Sequence, residues 1–178
     1  MGRVDFKRGR FSVGAETRSI EKGLRGYQAV AGDAVEYYRF HSELSVEDPV
    51  YDEASGSGRV FHGPFSVPVL HVVHLQGDDQ AGGTQGFYTN DTLHVSAGWR
   101  QLARIGLTRT DVRTNGYLRD RVVYDEKVFR VVRMTALGQI RRADLIVVVE
   151  ATQVKPDELT GDVQFAAYAV DPNALGGS

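Results

Sequence analysis

Residues 118–134 read LRDRVVYDEKVFRVVRM, and they hold the strongest β-signal in the chain. Two runs of β-branched and aromatic residues, 121–124 and 128–134, flank the charged tripeptide Asp125-Glu126-Lys127. A connection of that length joins two antiparallel strands as a hairpin. Arg119, Arg121, Arg130 and Arg133 lie in or beside it, and no residue nearby has catalytic spacing. Long cations on sheet edges oppose aggregation and pair with local acids such as Asp120 and Asp125. They also suit contact with an acidic partner or a nucleic-acid backbone.

Outward from the hairpin, strand patterns recur. Residues 34–42 alternate and are rich in aromatics, 67–75 (VPVLHVVHL) are apolar and β-branched, and 92–97 and 144–154 complete the set. Pro68 lacks a donor, so it belongs at a strand start or on an edge. Residues 15–31 place Ile20, Leu24, Tyr27 and Ala31 at helical spacing, weakened by Gly23 and Gly26 at about 1 kcal/mol each. Residues 99–107 give a second, shorter helix stopped near Gly106. About six strands with one or two short helices define a mainly β chain, a small barrel or sandwich. The expected organisation is a basic N-terminal arm at 1–14, one β-barrel-like domain at 15–155 and a C-terminal tail at 156–178. A long loop at 76–86 breaks the domain, and its Gly/Asp composition suits a projecting element.

The 178 residues are 42% hydrophobic, enough for one core, and contain no cysteine. That excludes disulfides, thiolate metal sites and a cysteine nucleophile. No apolar run is long enough to span a bilayer, and the charged start lacks the apolar segment of a secretory signal. Net charge is −2, yet it is segregated: 1–26 and 98–142 are basic, while 33–62 and 143–178 are acidic. A generic nucleic-acid binder is basic overall, and this chain is not. Segregated charge suits head-to-tail self-association, sensitive to salt.

Candidate chemistry is sparse. His71 and His74 stand three apart, but a strand puts them on opposite faces, so a metal site needs His62 and His94 from neighbouring strands. The bland reading is a set of partly buried strand histidines, each with one hydrogen bond. Asp52-Glu53 and Asp78-Asp79 lack the spacing of a calcium loop, and 55–58 (SGSG) is no nucleophile elbow. No cofactor is implied.

The segments DPVYDEASGSGRVFHGPFSVPVLHVVH, GFYTNDTLHVS, YLRDRVVYDEKVFRVV and GQI…VVVEATQVKPDEL, in that order and spacing, resemble head-to-tail connector proteins of long-tailed actinobacterial phages. Within that group the chain is most similar to the stopper, or head-closure, protein, from Tyr38 to about Phe165. Residues 119–132 (RDRVVYDEKVFRVV) are similar to a hairpin of many phage neck proteins, with Glu126-Lys127 where glycine is frequent. The resemblance implies a non-enzymatic virion protein, made in the host cytoplasm. It would assemble as a homo-oligomeric ring, expected to be a hexamer, between a portal–adaptor ring and a tail terminator or tail tube protein. There it would close the channel over the packaged DNA end, with no membrane involved. No individual residue role comes with it.

Two sets of residues are therefore expected to meet partners. Gln76, Gly77, Asp78, Asp79, Gly82, Gly83 and Gly86 form the interface or channel loop. Arg3, Lys7, Arg8, Arg10, Arg119, Arg121, Arg130 and Arg133 are the basic contacts. The alternatives are an adaptor or tail-completion protein of the same neck, a single-stranded nucleic-acid-binding barrel, and a metal-dependent enzyme built on His62, His71, His74 and His94.

Overall fold

The computed structural model describes residues 13–45, 58–77, 91–140, 143–159 and 162–169. Seven strands form one sheet: β1 (Asp33–Phe40), β2 (Phe61–Val69), β3 (His71–Leu75), β4 (Thr92–Gly98), β5 (Arg121–Tyr124), β6 (Lys127–Ile140) and β7 (Ala143–Gln153). Their order is β2-β1-β5-β6-β7-β4-β3, and every pair is antiparallel. The two edge strands are β2 and β3, yet Leu70 alone separates them in sequence. The sheet must therefore roll until its edges meet at that corner, where the Leu70 N–H donates to the Ser96 carbonyl at 2.7 Å. The expected mainly β, barrel-like class holds, as a rolled sheet without a closing ladder. The single strand expected over 67–75 is two strands bent at Leu70. Pro68 lies on an edge strand, where a missing donor costs nothing.

Alternation puts one apolar row inside. Leu93, Val95 and Ala97 of β4 and Val147, Val149 and Ala151 of β7 are buried, with Tyr37, Val122, Phe129 and Val131 from the other strands. Burying a Val, Leu or Phe side chain contributes about 1.5–3 kcal/mol, so these rows fix the register. Helix α1 (Val13–Ala31), longer by two residues than expected, leans on one end of the roll.

Helix α2 (Trp99–Arg104) follows β4 directly, and Gly106 at φ +87° ends it, as a left-handed terminating residue does. The sequence reading missed α3 (Arg109–Thr114). Thr108 caps it: its side chain accepts from the Asp111 N–H while the Asp111 carboxylate accepts from the Thr108 N–H.

A second apolar cluster lies outside the roll. Tyr38, Phe61, Val123 and Val128 of the sheet's outer face pack with Val154, Leu159 and Phe165. Leu159 closes α4 (Pro156–Leu159), and Phe165 belongs to a 3-10 helix, Val163–Tyr168. The domain boundary expected at 155 therefore falls inside the packed fold, because 156–159 and 162–169 cap one half of the sheet.

The β5–β6 hairpin is tighter than its sequence suggested. Tyr124 pairs with Lys127, which leaves a two-residue turn of Asp125 and Glu126 at φ +49° and +58°. Positive φ at both central positions is the type I′ geometry that follows strand twist. It is strained for a residue with a side chain, so Glu126→Gly is expected to raise unfolding stability by about 0.5–1 kcal/mol in denaturant melts.

Candidate interaction surfaces

Of the cations expected to meet partners, Arg119, Arg130 and Arg133 are exposed, while Arg121 is 2% exposed. Arg121 faces the second cluster, over the Phe61 ring at 5.7 Å, and donates to Glu158 at 3.2 Å. Burial lowers its pKa to about 10, and Glu158 opposes that fall. It is thus an internal cation and not a partner contact. Arg130 chelates the same Glu158 at 2.8 and 2.9 Å, and Arg59 stands 3.6 Å away, so one carboxylate gathers three guanidinium groups. Arg119 lies over the Phe40 ring at 5.2 Å, and Arg133 stands opposite Glu150 in the ladder. Arg3, Lys7, Arg8 and Arg10 lie outside the described residues, as do Asp78, Asp79, Gly82, Gly83 and Gly86.

Asp120, at the entry to β5, was expected to pair locally and instead organises β1. It is fully buried, accepting from the Tyr37 hydroxyl at 2.7 Å and the Phe40 N–H at 2.9 Å, with Arg39 Nε at 3.3 Å. Arg39 also reaches Asp111 of α3 at 3.7 Å. Burial raises the Tyr37 phenol well above its ordinary range, and the Asp120 charge raises it further.

Gln76 and Gly77 are the two described members of the expected loop. The base of that loop is held by Asp91, which sequence reasoning passed over. Asp91 accepts from Gly77 N–H at 3.2 Å, Lys127 Nζ at 2.7 Å and His74 Nε2 at 2.9 Å. Burial raises its carboxyl, but these donors outweigh burial and hold it below the usual range. A carboxylate just before a strand was the sequence signal, but its partners come from β3 and β6.

The histidines do not converge. His71 and His74 alternate across β3, His74 is spent on Asp91 and packs edge-on against Phe129, and His62 meets His41 edge-on at 4.4 Å. Among the described residues no three His, Cys, Asp or Glu side chains could hold a metal ion. No described helix is long and apolar enough to cross a membrane.

Among the described residues, exposed apolar side chains gather on two surfaces. Helix α1 exposes Ile20, Tyr27 and Val30 to 39%, 53% and 90%. The outer face of β3-β4-β7-β6 carries Val73, Leu75, Val132 and Leu137, each exposed, and half-buried Ile146 and Val148, with the polar Thr92, His94 and Ser96 of β4 separating the β3 residues from those of β7. A cleft of about 540 Å³ opens beside α3, lined by Trp99, Arg109, Val112, Arg113, Ala136, Asp144 and Val147. Arg109 Nε pairs with Asp144 there at 2.8 Å.

No protein-family model matches the chain, and no curated protein matches it. Among solved structures it is similar to a chain described as "Virion of native gene transfer agent (GTA) particle". The identity is 13% and the TM-score 0.45, over 68% of this chain and 94% of that one. A likeness at that level decides neither a family nor a role.

Proposed function

We propose that this chain is a non-enzymatic structural protein of a phage neck, a stopper that joins the portal–adaptor complex to the tail and closes the DNA channel. The observation that carries this reading is the placement of the connector-like segments. They supply six of the seven strands, β2 with β3, β4, β5 with β6, and β7, together with α4, and β1 completes the sheet between β2 and β5. Adaptors of such necks tend to be helical bundles, and the rolled sheet favours the stopper over that alternative. Within this reading the chain assembles with copies of itself, with the portal–adaptor ring and with a tail protein. Residues 76–86 would face the channel or tail, the basic arm would dock on a neighbour, and Arg119, Arg130 and Arg133 are its surface cations.

The test is to assemble particles lacking this chain. Heads that package DNA, then leak it and carry no tails, are the expected product. Tailed particles that keep their DNA without it would overturn the assignment.

A further inference from the structure

We propose that the cleft beside α3 is a binding site for an acidic peptide segment of a partner protein, seating an apolar side chain against Trp99 and Val112 and a carboxylate at Arg113. Such a site would stand whether or not the chain is a stopper.

The cleft lies at one mouth of the rolled sheet. Ala136 of β6 and Val147 of β7 are ladder partners, so they sit side by side on one face. Val147 is fully buried, which makes that face the inner one. Trp99, the first residue of α2, and Val112 of α3 add apolar walls; both pack against the core and both stay half-buried. Mouths of β-barrels are among the usual places for ligand sites, and a volume of about 540 Å³ falls within the roughly 300–1,000 Å³ of such sites.

Helix α3 contributes no buried residue to the core. Its capping box holds it, and Arg39 reaches Asp111 at 3.7 Å. Arg109, Val112 and Arg113 stand at i, i+3 and i+4, so they share one side of the helix, the side that lines the cleft. Arg109 gives Nε to Asp144 at 2.8 Å, and no described residue pairs with Arg113. An unpaired guanidinium therefore stands at the edge of an apolar hollow.

That combination selects the ligand. Trp99, Arg109, Val112, Arg113 and Ala136 all belong to the basic stretch 98–142, whose field draws in acidic groups. Asp144, the acid of the lining, is already matched by Arg109. The fork of Arg113 suits a carboxylate, which it can bind through two parallel hydrogen bonds. A phosphate backbone would meet only that one unpaired arginine, and the aliphatic Val112, Ala136 and Val147 offer a base no ring to stack on. A carboxylate next to a branched or aromatic side chain uses both halves of the site.

Trp99 is the one tryptophan of the chain, so its emission reports on the cleft without a label. Displayed random peptides selected on the full chain are expected to converge on an acidic residue beside a branched or aromatic one. A synthetic copy of the selected peptide should change Trp99 emission and saturate. Arg113→Glu, at an exposed position, sets like charge against the carboxylate and should weaken binding by about tenfold or more. Arg113→Gln should weaken it less, and Arg18→Glu, an equal charge change on exposed α1, should leave it as in the native chain. Selection of basic peptides, or equal weakening by Arg18→Glu and Arg113→Glu, would reduce the effect to general charge and overturn the site. Saturable binding with Trp99 emission unchanged would put the peptide elsewhere, and no enriched peptide at all would overturn the site too. A single-stranded oligonucleotide that changes Trp99 emission at lower concentration than the peptide would give the cleft to nucleic acid instead. None of these outcomes bears on the neck assignment, which the particles lacking this chain test separately.

Discussion

Replacing Asp120 with alanine is expected to cost about 3–5 kcal/mol of unfolding free energy, the range for removing one member of a buried charged network. The substitution strips an acceptor from the buried Tyr37 hydroxyl and the Phe40 N–H, and leaves Arg39 with the more distant Asp111. Each orphaned buried group adds its own desolvation penalty. The asparagine variant carries a further signature. Burial pushes the Asp120 carboxyl up to about 6, against the Phe40 N–H and the Arg39 charge. An unfolded aspartate titrates near 3.9, so the folded chain takes up this proton first on acidification. The stabilisation tied to the proton is complete below about pH 4 and is lost as pH rises through about 6. A difference of about two units corresponds to about 3 kcal/mol. Asparagine cannot titrate, so the deficit of Asp120→Asn against the native chain should be larger near pH 4.5 than near pH 7.5. Urea melts of both proteins at the two pH values check this, and other groups cancel in the difference. A deficit that is flat or grows with pH would contradict the raised carboxyl.

The sequence made the strands legible because their signal is local. Alternation of β-branched residues marks β4, β7 and the β5–β6 hairpin whether or not the chain is folded. The bend at Leu70 was not legible, since VPVLHVVHL has no breaker at its centre and the corner exists only because two sheet edges must meet there. Helix α3 did have a local sign, the Thr108-to-Asp111 spacing of a capping box, but six residues with Val112 as their one apolar member give no apolar period to support it. Candidate contacts fared worse because charge pairing is a tertiary fact. Arg121 looks like any other arginine of its hairpin, and its burial depends on Glu158, 37 residues away. The partners of Asp120 lie 80 and 83 residues away, which no spacing rule reaches.

Phe165→Ala is the second large effect, and it tests whether the C-terminal segment belongs to the fold. Phe165 is fully buried and meets Tyr38 edge-on at 4.9 Å and Phe61 at 5.2 Å. Next to it the Gln164 side chain accepts from the Phe61 N–H at 2.7 Å and donates to the Phe61 carbonyl at 2.9 Å. That amide imitates a neighbouring strand at the start of edge strand β2, so losing the segment exposes both an apolar face and a sheet edge. Removing a buried phenylalanine side chain costs about 3–5 kcal/mol where the surroundings cannot collapse. The nearby guanidinium groups make collapse harder, because Arg121 stays buried only while Glu158 is held against it. The expected result is a loss in that range by denaturant melts, with amide exchange faster at 156–169 and at Phe61 than in β4 and β7. If the segment opens before the sheet, exchange rises there while the global loss is smaller, and the second cluster is then a separate cooperative unit. A loss under about 1 kcal/mol with unchanged exchange would make the segment a passive appendage and return the domain boundary to 155.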